Sequence, residues 1–328
     1  FLLARLHTDS LQDAGSVKEV KSTLDKLLKN QGTLNKAYDE AIQRIDSQMD
    51  RQKKRAKRVL SWITYARRQL TTTELCCALA VERDEAKLDP DNVPDVEDLL
   101  SVCAGLVIVD PKSSVIHLVH QTTQEYFEGV GNAWFTDARQ DVASTCLTYL
   151  SFDVFKTGSC SSDEEFKKRL QDSRFLDYAA KHWAHHAATV ESDVLTLACS
   201  FLSDSQLVSS ATQVYLVHAD MYAMYSQFYP KDRTGFHLTA QFGLSVTLEA
   251  MLQSEGHKGA TLLRERDSYG DSPLSLAAEN GHVAMVKLLL RYHVHIDTQG
   301  GGLGKELWAA SWTGHETIVN LLLEAGAN

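Results

Sequence analysis

The chain has 328 residues, enough for two or three domains, and its 44% hydrophobic content excludes a fibrous or disordered class. A net charge of −10 excludes a chain-wide electrostatic attraction to nucleic acid or anionic membranes. No apolar run approaches the ~18 residues that span a bilayer, and no charged-then-apolar leader opens the sequence. The six cysteines Cys76, Cys77, Cys103, Cys146, Cys160 and Cys199 lack CxxC spacing and read as small buried thiols suited to a reducing cytosol. Residue 1 is Phe, so the natural N-terminus is expected further upstream and targeting is left open.

In chain order, Val17, Val20, Leu24, Leu27 and Leu28 recur at helical spacing before Gly32, and Leu34, Tyr38, Ala41, Ile42, Ile45 and Met49 do so after it. Residues 16 to 66 are therefore predicted mainly helical. The cluster Arg51, Lys53, Lys54, Arg55, Lys57 and Arg58 has the composition of a nuclear-import or nucleic-acid patch. Its place on a helix leading into Val59-Leu60-Ser61-Trp62-Ile63 favours a solvated helix face. Val59, Leu60, Ile63 and Ala66 then form an apolar stripe, and Thr71-Thr72-Thr73-Glu74 supplies a capping box for a helix carrying Leu75, Ala78 and Leu79. An acidic loop with Pro90 and Pro94 precedes a helix with Val96, Leu99, Leu100, Val102 and Cys103, which Gly105 can end. Leu106 to Val109 and Val115 to Val119 are β-rich runs flanking Asp110-Pro111-Lys112-Ser113-Ser114, the pattern of a hairpin. Helix, helix, helix, hairpin is the order of a winged helix.

More helical pattern comes in Val142, Cys146, Leu147, Leu150; in Phe175, Leu176, Tyr178, Ala179, Trp183; in Val194, Leu197, Phe201, Leu202; and in Val214, Val217, His218, Met221, Tyr222. This reads as a helical connector whose end caps a repeat array. From Asp267 the sequence repeats itself: Gly281-His282 returns 33 residues later as Gly314-His315, Leu274 as Leu307, Ala277 as Ala310, Val286 as Val319, Leu289 as Leu322 and Leu290 as Leu323. At these positions two short antiparallel helices would bury their faces. Asp267, Gly270, Ser272-Pro273-Leu274, Ala277-Ala278, Gly281-His282, Val286 and Leu289-Leu290 resemble the ankyrin repeat. A damaged earlier copy runs from Thr234-Gly235-Phe236-His237-Leu238-Thr239-Ala240 through Gly243-Leu244 and Leu248 to Met251-Leu252. Its Gly243 lies 38 residues before Gly281, which puts five extra residues between Ser254 and Arg266. A terminal repeat normally needs a polar cap, so the natural protein is expected to continue past Asn328.

Several blocks taken together resemble the filamentous-fungal NACHT–ankyrin proteins, signalling NTPases of the NOD-like-receptor (STAND) type. They are Phe1-Leu2-Leu3-Ala4-Arg5-Leu6-His7, Val59-Leu60-Ser61-Trp62-Ile63, Leu70-Thr71-Thr72-Thr73-Glu74-Leu75, Ser101-Val102-Cys103-Ala104-Gly105-Leu106-Val107 and His120-Gln121-Thr122-Thr123-Gln124-Glu125-Tyr126-Phe127. The likeness covers nearly the whole chain. It implies a mainly α fold, with the helical end of a NACHT region at 1–55, a winged helix of the GPI inositol deacylase type at 56–135, a helical connector and cap at 136–228, and about three ankyrin repeats at 229–328. It further implies a non-catalytic, cytoplasmic, regulatory region. The ankyrin repeats would bind a protein ligand, and opening would allow self-oligomerisation through NACHT in non-self recognition or cell death. ADP, ATP or GTP would belong to the full-length protein, since this chain has neither G-x-x-x-x-G-K-[ST] nor G-x-S-x-G.

Within that resemblance His120 is the candidate cofactor contact. Its surroundings are similar to the family's H-x-S/T-x-Q-E-F/Y-F pattern, whose histidine meets the β-phosphate of ADP, with a helix N-terminus adding positive potential. The other reading is a histidine bonding its own turn. His182, His185 and His186 share a helix face, but no H-E-x-x-H accompanies them and they read as packing residues. Gly300-Gly301-Gly302-Leu303-Gly304 follows no strand and reads as a turn between repeats, and His282 and His315 read as turn residues. The competing function is a DNA-binding winged helix. Residues 59–140 hold six basic and thirteen acidic side chains, a net of −7, and the presumed reading helix displays Glu74, Cys76 and Cys77, which favours a protein-binding role.

Overall fold

The computed structural model describes residues 16–18, 21, 34–217, 223–292 and 304–326. The expected helix from Val17 to Leu28 lies largely outside these residues. The block Phe1 to His7, the positions His218, Met221 and Tyr222, the turn Gly300 to Leu303 and the last two residues lie outside them altogether. The fold is mainly α, and it divides into two compact units, residues 1–81 with 89–142 and residues 82–88 with 143–328.

In the first unit, α1 (Leu34–Asp46) buries Ala37, Tyr38, Ala41 and Ile45, a stripe at helical spacing, and α2 (Asp50–Tyr65) buries Ala56, Val59, Leu60 and Trp62. The basic cluster on α2 is not simply a solvated face. Lys53 and Lys57 meet Asp46 at 3.0 and 3.8 Å, Arg55 meets Asp98 at 3.7 Å, and Arg58 meets Asp141 at 3.3 Å and donates to the Leu79 carbonyl at 2.9 Å. Burial alone would raise the Asp46 carboxyl. Hydrogen bonds from Lys53 and Trp134, together with the two lysine charges, hold it below its ordinary value.

The capping box forms as expected at α3 (Thr72–Ala80). The Thr71 hydroxyl accepts the Glu74 amide at 3.2 Å, Glu74 accepts the Thr71 amide at 2.8 Å, and Arg68 clamps the same carboxylate with two bonds of 2.6 and 3.0 Å. A short strand β1 (Leu70–Thr71) precedes it. β1 pairs antiparallel with β3 (Val115–Leu118), which pairs with β2 (Val107–Val109), giving the order β1-β3-β2. The sequence does not announce β1, because two residues carry no period. Between α3 and the hairpin, α4 (Val96–Val102) ends at Ala104 and Gly105, both at positive φ. Side chains of α1 and the turn after it take up the loosened carbonyls, Gln48 donating to Val102 and Arg44 to Ala104. The hairpin leads into α5 (Gln121–Trp134).

Then α6 (Ala138–Leu150) runs from the first unit into the second, which continues with α7 (Asp163–Asp172), α8 (Leu176–Ala187), α9 (Leu195–Ser203) and α10 (Ser205–Leu216). A buried amide organises this part. Gln213 accepts the Cys160 amide at 2.7 Å and donates to the carbonyls of Cys160 and Ser226 at 3.0 and 2.9 Å. Three helical hairpins complete the described chain: α11 (Gly235–Phe242) with α12 (Ser245–Glu255), α14 (Pro273–Glu279) with α15 (Val283–Arg291), and α16 (Gly304–Trp312) with α17 (Glu316–Glu324), α13 (Gly259–Leu262) being a single turn between the first two. α11, α14 and α16 stack in one layer, α12, α15 and α17 in another, and α9 packs on α11 and α12. That contact is tight, since a side chain at Gly235 would strike the Leu202 backbone. The five extra residues are accommodated by a 3-10 turn and by α13, anchored by the buried Leu263.

Candidate functional site

His120 follows β3 and precedes the first turn of α5. Its Nδ1 accepts the Thr122 amide at 3.2 Å and lies 2.9 Å from the Thr122 hydroxyl, while its carbonyl accepts the Thr123 amide. With Nδ1 used as an acceptor, the neutral ring carries its proton on Nε2, as a donor on an exposed residue. His117, on the strand itself, shows the opposite arrangement: its Nδ1 faces the Leu118 carbonyl at 2.8 Å and donates to it. The structure shows the turn bond of His120, made through Nδ1, and leaves Nε2 as the protonated nitrogen of the neutral ring.

The ankyrin positions interlock between repeats. Gly243, Gly281 and Gly314 all sit at φ of 70–80°. A Cβ on Gly243 would lie 2.7 Å from the His282 ring and one on Gly281 would lie 2.5 Å from the His315 ring, whereas one on Gly314 would meet nothing within 4 Å. Each imidazole also reaches back to a carbonyl of the preceding repeat, His282 to Gln241 at 2.9 Å and His315 to Glu279 at 3.1 Å. The Gly-His dipeptide is therefore a seam in which the glycine of one repeat receives the histidine of the next. Gly281→Ala and Gly314→Ala carry the same penalty of about 1–2 kcal/mol for a left-handed alanine, but only the first also displaces His315. Urea unfolding should show Gly281→Ala losing at least ~1 kcal/mol more than Gly314→Ala, the worth of the lost bond. Equal losses would mean that the seam contributes nothing.

Pro273, Leu274, Ala277, Val286, Leu289, Ala310 and Leu322 are buried as expected, and Leu307 and Val319 are half-buried. Two positions differ. Leu290 is only half-buried and Leu323 is 48% exposed, because the inward stripe consists of Met285, Val286, Leu288 and Leu289 in α15 and of Ile318 and Leu322 in α17, which turns the next leucine to the edge. The sequence reading also missed Trp308 and Trp312, 59% and 76% exposed and stacked with ring centroids 5.5 Å apart. The positions equivalent to Trp308, His237 and Ser275, are buried. His237 Nε2 donates to the Asp271 carbonyl of the following repeat, and burial pushes the pKa of this imidazole down.

Other candidates resolve into packing. His186 is buried with its Nε2 2.8 Å from the Tyr178 hydroxyl, His182 lies against the Tyr178 ring and His185 against Phe242. Among the described residues no cluster of three or more histidine, cysteine or carboxylate groups is arranged to hold a metal ion. None of the six cysteines is in a disulfide, and burial raises the thiols of Cys103 and Cys146 well above the ordinary range and Cys76 to about 11. Glu74, Cys76 and Cys77 are buried, so α3 is not the helix a groove would meet. The helix directly ahead of the hairpin is α4, and it presents the exposed carboxylates Glu97 and Asp98. The sign is wrong for DNA. Among the described residues no helix is long and apolar enough to cross a membrane.

Comparison with known proteins agrees with both units. Residues 43–133 match the family described as GPI inositol-deacylase, winged helix domain, and residues 195–300 and 236–328 match ankyrin repeats (3 copies). The chain carries a winged helix domain of this type and ankyrin repeats, and the ankyrin match takes in α9 and α10. A curated relative, the azaphilone pigments biosynthesis cluster protein L of Monascus ruber, is 26% identical across 94% of this chain. The chain spans 65% of that relative's length.

Proposed function

We propose that this chain is the regulatory and protein-interaction region of a cytoplasmic NOD-like signalling NTPase, itself without catalysis. The ankyrin array binds a protein ligand, and the winged helix holds an upstream nucleotide-binding module closed around ADP. The observation that carries this reading is the union, in one chain, of an ankyrin array with a winged helix whose hairpin-proximal helix is acidic: such a winged helix is suited to pack against protein and repels DNA. His120 supplies the nucleotide contact, with Nε2–H as donor to the β-phosphate and the N-terminus of α5 adding positive potential beside it. The domain division at 1–55, 56–135, 136–228 and 229–328 belongs to the same proposal.

In the longer polypeptide with its NACHT module, His120→Ala is expected to weaken ADP retention by about 1.5–3 kcal/mol, the range for a hydrogen bond to a charged acceptor. It should also shift the population toward the open, oligomerising form. His117→Ala, which removes a ring already committed to the Leu118 carbonyl, should leave retention unchanged. Melting of both variants comes first, since a misfolded hairpin would release nucleotide for an unrelated reason. Unchanged ADP affinity in a folded His120→Ala protein would reduce this histidine to a turn residue.

A further inference from the structure

His120 is connected to the interior by a chain of hydroxyls. The Thr122 hydroxyl, 2.9 Å from His120 Nδ1, lies 2.7 Å from the hydroxyl of Tyr38 on α1, and the Thr123 hydroxyl donates to that same Tyr38 oxygen at 3.1 Å. Tyr38 and Thr123 are both fully buried. The donors can be assigned in only one consistent direction. Nδ1 accepts the Thr122 amide, so it carries no proton and can only accept from the Thr122 hydroxyl as well. That hydroxyl, its proton committed to Nδ1, must accept from Tyr38. Tyr38 in turn accepts from Thr123. Every hydroxyl in the sequence Thr123, Tyr38, Thr122, His120 then gives its proton to the next group, and the last ring is left with its own proton on Nε2.

We propose that Tyr38 is a positioning residue for His120: its hydroxyl, delivered from α1, sets which imidazole nitrogen carries the proton and so keeps Nε2–H available as an outward donor. The inference rests on the proposed role of His120 for its biological meaning, but its physical content concerns the ring alone. Tyr38 is well placed for such a task. Its ring packs against Tyr126 of α5 with centroids 5.0 Å apart, and the neighbouring Asp39 accepts the Tyr126 hydroxyl, so seating α1 on α5 and delivering the hydroxyl are one event. A displacement of α1 removes the donor to Thr122. The Thr122 hydroxyl is then free to accept from Nδ1–H instead, and the outward donor is lost. The helix ahead of the winged helix thereby gains a route to the state of a ring 82 residues away in sequence.

The test reads the tautomer of His120 directly, by two-bond proton–nitrogen correlation spectra of this chain with its imidazoles neutral, assigned through His120→Gln. The native chain should show His120 predominantly as Nε2–H. Tyr38→Phe keeps the ring and its packing on Tyr126 and removes only the hydroxyl. It should raise the Nδ1–H share roughly three- to tenfold, the change allowed by loss of one net hydrogen bond. Thr123→Val, which removes the first donor, should move the same signals in the same direction by less, and His117 should not respond to either. A His120 that is Nε2–H to the same extent in native and Tyr38→Phe proteins of equal melting temperature overturns the relay. If Tyr38→Phe fails to fold, Thr122→Val, at a part-buried site, decides instead: a tautomer unchanged by loss of the connecting hydroxyl overturns it equally. In the NACHT-bearing polypeptide the double variant Tyr38→Phe/His120→Ala should retain ADP no worse than His120→Ala alone, and additive losses would place Tyr38 on a different path. Failure of His120→Ala to affect ADP would sink the nucleotide reading while the spectra still decide the relay.

Discussion

Replacing Arg233 with methionine is expected to destabilise the second unit by about 3–5 kcal/mol, because it leaves a buried carboxylate without its counter-charge. The Arg233 and Asp267 side chains are 6% and 0% exposed and meet at 2.9 Å, and the same guanidinium donates to Gln241 at 2.6 Å. The other Asp267 oxygen accepts the amides of Tyr269 and Asp271, each at 2.9 Å, which shapes the turn that opens the second repeat. One ion pair thus fastens the segment before the first repeat to the turn of the second. Asp267→Ala should cost a comparable amount, since it strands the guanidinium and loosens the turn together. The double variant should lose much less than the sum, because neither charge is then left alone. Urea midpoints followed by circular dichroism decide it. A loss below ~1 kcal/mol for Arg233→Met would mean that the two turn amides suffice to hold Asp267.

Leu289→Ala and Leu322→Ala should each cost about 2–5 kcal/mol, as truncation of a fully buried leucine leaves a cavity that its neighbours fill only in part. Lys287→Ala, on the exposed side of α15, should stay within about 0.5 kcal/mol. The two leucines are equivalent in the repeat but differ in their neighbours. Leu289 is backed by the next hairpin, whereas Leu322 belongs to the last described one, so a smaller cost at Leu322 would measure how much that backing contributes. Similar melting for all three variants would show that the helix faces are wrongly assigned.

The ankyrin array was legible because a period repeats the same physical solution, and the position of Gly281-His282 relative to Gly314-His315 gives the stacking register directly. The winged helix was legible from local signals: a capping box at Thr71 and Glu74, and an Asp-Pro turn between two β-rich runs. Long-range pairing was not legible. β1 is a strand only because Ile116 and Val115, far along the chain, lie beside it, and the α2 cations read as solvated because Asp46, Asp98 and Asp141 come from three other stretches of chain. The same limit applies to the site. The turn bond of His120 is implied by its place before Thr122, but the hydroxyl of Tyr38 is 84 residues from the threonine it meets, and nothing local marks it. α7, with polar DEEFKKRLQD, buries only Phe166, too little apolar content to announce a helix.

The Gly-His seam has a consequence for how such a gene can change. The Gly281-His282 dipeptide carries both halves of a joint, a glycine that accepts His315 and a histidine that fits Gly243. Deleting or duplicating the whole 33-residue period between Gly281-His282 and Gly314-His315 leaves a glycine facing a histidine across the cut, so the length of the array can change by unequal recombination without a compensating substitution at the new junction. Insertions that are not whole periods are confined to where no joint is made, as in the segment around α13, where five additional residues have entered without moving Gly243 out of reach of His282. The array can therefore lengthen or shorten by a whole repeat in a single genetic event while the joint between repeats is kept.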